Sequence, residues 1–159
     1  MDIRPFQTSD TQKILALSIR AWTPVFEKMQ PAVPGYVYNA FYPDGWQTRQ
    51  LADIEQLLND ESQSVFVADA SGEVAGFVGI RIHPEDQMGE IYILAVDPDH
   101  QRAGVATALM EFAFGHMRQL GLAMVMVETG GDPGHATSRA CYERVGFERW
   151  PVARYFKKL

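Results

Sequence analysis

Cysteine is almost absent from this chain, with a single residue, Cys141, among 159. A lone thiol closes no internal disulfide, so the fold has to rest on an apolar core, and a chain of this length can bury one without disulfides or metal. Long apolar runs are missing too. None approaches the roughly 18 to 20 residues that a membrane-spanning helix needs, and the opening stretch "MDIRPFQTSD" lacks the apolar segment of a secretory signal. Neither an internal repeat nor a low-complexity tract is found. These absences predict one globular domain over 1–159, in the cytoplasm, with no membrane partner. Positive charge is also in deficit. The 14 Lys plus Arg stand against 20 Asp plus Glu, and the net charge of -6 repels a polyanion over most of the surface, so nucleic acid is not an expected partner. The four histidines, His83, His100, His116 and His135, show no H-x-x-x-H spacing, and no metal site is expected.

What is present alternates between strand and helix signals. "DIRPF" reads as a first strand, and "TSD" at Thr8 to Asp10 offers cap residues for a helix patterned on Ile14, Leu17 and Ala21. Trp22 to Trp46 carries Pro24, Pro31, Pro34 and Gly35 without clean periodicity and reads as an irregular segment, after which "TRQLADIEQLLND" resumes helical spacing. "SVFVAD", "ASGE" and "VAGFVGIRIH" form a hairpin pattern, and "EIYILAV" adds a third strand. A helix from about Gly104 to Leu120, stopped by Gly121, then precedes the strand "AMVMVE"; strand, helix, strand implies a parallel pair. A last helix around Ser138 to Val145 ends at Gly146, with short strand candidates after it at "FERW" and "VARYF". The class predicted is a mixed α/β domain.

The loop "VDPDHQRAG" carries the chemistry. The first turn of a helix has backbone N–H groups without internal partners, and the helix dipole adds partial positive charge, so it is a ready anion site. Gly104 takes away the side chain that would hold a phosphate off, Ala103 and Ala106 keep the approach shallow, and Arg102 can add a charged contact. Neither G-x-x-x-x-G-K-[ST] nor G-x-G-x-x-G is present, which excludes the P-loop and dinucleotide fingerprints. The plainer alternative is a glycine that merely eases a tight turn, and spacing alone leaves both open.

Two ordered motifs point further. "QRAGVA", Gln101 to Ala106, between a strand ending in "LAV" and an amphipathic helix, resembles the Q/R-x-x-G-x-G/A signature of the GNAT superfamily of N-acetyltransferases. "SRACYERVGFE", Ser138 to Glu148, is similar to that family's A-x-x-x-Y-E-x-x-G-F segment. The resemblance implies a central, mostly antiparallel mixed sheet with a splayed parallel strand pair, flanked by helices. It implies acetyl-CoA as co-substrate, without metal. The pyrophosphate would sit on Gln101, Arg102, Ala103, Gly104, Val105, Ala106 and Thr107. The pantetheine arm would lie along Leu94, Ala95 and Val96 like an added strand. Ser138 belongs to the second motif at the same cofactor site. An Asn commonly holds the pantetheine where this chain has His135, which can make one comparable hydrogen bond but not the amide's pair.

For transfer to an amine, Glu90 stands where related acetyltransferases carry a general base, and Tyr142 matches the tyrosine that protonates the departing thiolate. Each has a plainer reading, a solvated strand-edge carboxylate and an aromatic on a buried helix face. A backbone N–H near Leu94 to Val96 could hold the oxyanion if the strand bulges there. Cys141 lacks a histidine at partner spacing and is not expected to be a nucleophile. The acceptor would be a primary amine of a small molecule or a peptide; a homodimer is compatible with the family. The rival is a non-catalytic acyl-CoA sensor on the same fold, which would need neither Glu90 nor Tyr142. Seven of the 18 aromatics, Trp22, Phe26, Tyr36, Tyr38, Phe41, Tyr42 and Trp46, crowd into 25 residues. They either pack a long connection onto the sheet or line an acceptor cleft opposite Glu90.

Overall fold

In the computed structural model, which describes residues 1–159, the N-terminal alternation becomes strand β1 (Asp2–Pro5), and helix α1 (Thr11–Met29) follows one tight turn later. Asp10, last of the cap candidates, is buried and accepts the Gln7 N–H at 2.9 Å. Arg4 of β1 donates to the same carboxylate at 2.8 and 3.0 Å. That hydrogen bond holds the Asp10 carboxyl below the usual carboxylate range against the opposing effect of burial. The start of α1 is thereby tied to the sheet.

The stretch expected to be irregular is mostly helical. α1 continues through Pro24 to Met29, α2 (Gly35–Phe41) follows, and α3 (Trp46–Asp60) begins at the last of the clustered aromatics. A small separate core explains the order: Phe26, Tyr38 and Trp46 are buried together. Phe26 stacks on Trp46 with centroids 4.3 Å apart, and Tyr42 meets Phe26 edge-on at 5.3 Å. Burying three such rings outweighs the roughly 3 kcal/mol that an interior proline costs a helix.

Strands β2 (Val65–Ala70), β3 (Glu73–His83) and β4 (Met88–Val96) form an antiparallel meander beside β1, and β5 (Met124–Val127) joins β4 in parallel. The sheet order is β1-β2-β3-β4-β5. α1 and α3 cover one face through Ile14, Leu17, Ile54 and Leu57, packed on Phe77. α4 (Val105–Gln119) covers the other through Val105, Leu109, Met110, Ala113 and Met117, and α5 (Ala136–Arg144) sets Cys141 and Tyr142 against that core, with its C-cap Val145 beside them. The mixed α/β architecture with one parallel pair is the one expected.

Both helices around β5 stop in the same way. After α4, Gly121 N–H donates to Arg118 O at 3.0 Å and Leu122 N–H to Met117 O at 3.1 Å; after α5, Gly146 donates to Glu143 and Phe147 to Tyr142, each at 3.1 Å. These paired bonds need a left-handed residue past the helix end, and Gly121 and Gly146 have φ of 75 and 95. The "GF" of the second motif is therefore a helix stop whose Phe147 packs edge-on against both Tyr142 and Phe114. The strands expected at "FERW" and "VARYF" do not form. Residues 147–159 contain no regular element, Trp150, Val152 and Tyr155 are exposed, and of the tail rings Phe156 meets Phe41 at 5.9 Å. Alternation makes a segment competent for a strand, but a strand exists only against a partner edge. No helix is long and apolar enough to cross a membrane.

Candidate active site

β4 and β5 separate halfway along. Their pairing runs from Met88 opposite Met124 to Ile91 opposite Val127 and ends there. On the other side, Ile91 faces Ile80 and Ile93 faces Gly79, so Tyr92 is an extra residue, a bulge in β4. The edge of β4 from Tyr92 to Val96 that turns toward β5 has no strand partner, and Leu94, Ala95 and Val96 lie in it. The bulge falls at Tyr92, just ahead of the stretch where one was expected. It shifts the side-chain alternation, so that Ile91, Leu94 and Val96 all join the core under α4.

The unpaired edge leads directly into the loop. Asp97 N–H bonds Ala75 O at 2.9 Å, closing the strand, and the Gln101 amide donates to Val96 O at 3.3 Å. Arg102 and Gly104 are left-handed, at φ 61 and 83, and both are exposed. Gly104 caps α4, whose first helical bond runs from Ala108 N–H to Gly104 O at 2.9 Å. The N–H groups of Val105, Ala106 and Thr107 precede that bond and have no partner within the helix. A Cβ on Gly104 would meet no atom within 4 Å, so glycine serves here for its φ and for an open approach to those N–H groups, not for packing. Val105 is buried and anchors the helix start, whereas Thr107 is exposed.

Glu90 stands two residues before the bulge. Its Oε2 lies 2.7 Å from Nε2 of His83, the last residue of β3. Arg81, opposite Glu90 in register, turns away to Glu61, with bonds of 2.9 and 2.7 Å, and its guanidinium lies 3.4 Å from the centre of the Tyr92 ring. His83 escaped the sequence reading, because only the strand register sets it beside Glu90.

On α5, Ser138 and Tyr142 are four residues apart and share a face, with His135 at its N-cap. Tyr142 is half-buried, and burial, helped by the neighbouring Cys141, pushes its hydroxyl up to about 12, so it keeps its proton at neutral pH. His135 Nδ1 lies 2.6 Å from Asp132. Burial would raise the Asp132 carboxyl, but the His135 bond and charge and the Gly134 N–H prevail and hold it low. The ring is fixed with Nε2 left free, consistent with one hydrogen bond where an Asn would offer two. The loop itself is pressed onto α1, where a Cβ on Gly134 would run into the carbonyl of Val25. Of the clustered aromatics, Tyr36 and Phe41 are exposed; Phe26, Tyr38 and Trp46 are core.

A five-stranded mixed sheet that splays at its one parallel pair, flanked by helices, matches the fold of solved acetyltransferases, and the sequence comparison agrees. The chain belongs to the acetyltransferase (GNAT) family, whose sequence profile matches residues 36–147. It is similar to a mycothiol acetyltransferase of Saccharomonospora viridis, 34% identical over 110 residues that cover 60% of this chain and 35% of that protein. A mycothiol acetyltransferase of Stackebrandtia nassauensis is 28% identical over 157 residues, 94% of this chain and 51% of that one. The chain thus spans only part of the curated relatives it matches. Among solved structures, PaiA N-acetyltransferase of Thermoplasma acidophilum in complex with coenzyme A aligns with TM-score 0.69 at 14% identity, covering 96% of this chain and 92% of that one. An aminoglycoside 6'-N-acetyltransferase of Acinetobacter haemolyticus aligns with TM-score 0.67 at 20% identity, covering 100% and 99%. At these identities the structural likeness speaks for the fold.

Proposed function

We propose that this chain is a single-domain, acetyl-CoA-dependent N-acetyltransferase that moves the acetyl group directly to a primary amine of a small molecule or peptide. The observation that carries the proposal is the unpaired edge of β4, Tyr92 to Val96, running straight into the free N–H groups at the start of α4. An extended pantetheine arm can bond that edge as an added strand while the pyrophosphate meets Gln101 to Thr107. In this reading His135, at the N-cap of α5, would meet the arm through Nε2, and Ser138 in the first turn of α5 would add a second contact.

The chemistry then divides among three groups. Glu90 takes a proton from the acceptor ammonium, and the nitrogen lone pair attacks the thioester carbonyl. A backbone N–H of the unpaired edge steadies the oxyanion. As the tetrahedral intermediate collapses, the C–S bond breaks, Tyr142 gives its hydroxyl proton to the leaving thiolate, and the second proton lost by the attacking nitrogen restores the Tyr142 hydroxyl. The relatives above are named for mycothiol and for aminoglycosides, and the acceptor of this chain is set by experiment: thiol release from acetyl-CoA, followed across simple amines, aminoglycosides, amino acids and peptide N-termini. Release with one class supports the proposal. Tight coenzyme A binding with no release for any class would favour an acyl-CoA sensor.

A further inference from the structure

We infer that His83 is the positioning residue of the acetyl transfer, holding Glu90 by one carboxylate oxygen so that the other is presented to the acceptor ammonium. The inference rests on the reading of Glu90 as the base. Register puts Arg81 opposite Glu90 and His83 opposite Met88, so His83 and Glu90 are diagonal neighbours on one face of the sheet. Their contact, Nε2 to Oε2 at 2.7 Å, is the hydrogen bond that Glu90 makes, and the Glu90 side chain is only 16% exposed. A carboxylate that is to act as a base only accepts, so this role for Glu90 requires the hydrogen of the contact to sit on Nε2. Oε2 is thereby occupied and Oε1 is left for a substrate proton.

The neighbours explain why a histidine does this and the nearer arginine does not. Arg81 is held by both oxygens of Glu61 and stacked on Tyr92. A permanent guanidinium on Glu90 would disfavour protonation of the carboxylate and weaken a base. An imidazole N–H supplies orientation without a fixed charge. On its far side, His83 Nδ1 faces Glu85 at 3.8 Å, and Glu85 is well exposed. Glu61, Arg81, Glu85 and Tyr92 are the other charged or titratable groups around the pair.

The test uses the full chain with acetyl-CoA and the amine that releases thiol fastest in the screen above. His83→Ala is expected to lower kcat at least about 10-fold, short of the 10²- to 10⁴-fold attributed to a general base, with acceptor KM, coenzyme A affinity and Tm near wild type. His83→Gln should restore most of the rate, because its amide N–H falls where Nε2–H was. His83→Asn, which mimics Nδ1, should not. In a Glu90→Gln background His83→Ala should add no further loss, since the two act as one unit. Nitrogen-15 NMR of the wild-type chain should show the His83 hydrogen on Nε2. The inference is overturned by a wild-type kcat in His83→Ala, by Gln and Asn behaving alike, by a multiplied loss in the double variant, or by a hydrogen on Nδ1 alone. A wild-type rate in Glu90→Gln would instead remove the base reading itself.

Discussion

Arg20, in the middle of α1, donates to both oxygens of Asp97 at 3.2 and 2.9 Å across 77 positions of the chain, and reaches Asp99 at 2.7 Å. Asp97 closes β4 and opens the loop, and its carboxylate also accepts the Asp99 N–H at 2.9 Å. One buried carboxylate therefore ties the loop before α4 to a helix on the opposite face of the sheet. The two acidic side chains nearest the candidate phosphate site are paired in advance, which lessens their repulsion of an anion. Asp97→Ala should cost about 1–3 kcal/mol of stability, the range for losing a buried hydrogen-bonding group. Denaturant titration checks that figure, and calorimetry should show weaker coenzyme A binding in the same variant, with no such weakening in a surface control such as Asp44→Ala.

Gly104 separates conformation from packing. Since a Cβ there meets nothing within 4 Å, Gly104→Val leaves the core intact, and the φ of 83 costs roughly 1–2 kcal/mol in stability. The branched side chain stands at the open N–H groups, so coenzyme A affinity should fall by 10-fold or more. Calorimetry on the folded variant decides: unchanged affinity would remove the anion role from this helix end.

Tyr142→Phe keeps the ring and loses the donor. Turnover should drop by about 10²-fold or more, within the range for general acids, while Tm holds; a lowered Tm with normal turnover would leave Tyr142 a core aromatic. The hydroxyl also predicts a pH effect. Because it is pushed up to about 12 when folded, the unfolded chain loses this proton first, near 10, and stability falls as pH rises from 10 through 12. At pH 11 the loss is about 1 kcal/mol. Denaturant midpoints at pH 9 and 11 should therefore differ less in Tyr142→Phe than in wild type.

The clustered aromatics divide by burial. Phe26→Ala and Trp46→Ala should each cost about 3–5 kcal/mol, as buried large rings do. Tyr36→Ala and Phe41→Ala, both exposed, should leave stability within about 1 kcal/mol and raise the acceptor KM if either ring meets the amine. Steady-state kinetics with unchanged KM in both would assign the whole cluster to packing.

Elements whose signals are local were legible in the amino-acid order. The Ser71-Gly72 turn, the glycine stops at Gly121 and Gly146, the loop and helix from Gln101 to Thr107, and the strand ending at Val96 all lie within a few residues of what the chain forms. Each rests on a backbone preference that acts over one turn. What required tertiary structure depended on partners remote in sequence. α1 passes Pro24 because Phe26 finds Trp46. "VARYF" is not a strand because no edge receives it. Glu90 is oriented by His83 because a strand register, displaced by one extra residue at Tyr92, brings the two side chains together. Periodicity tells which face a residue turns to but not which residue waits there, and that identity is a property of the assembled sheet.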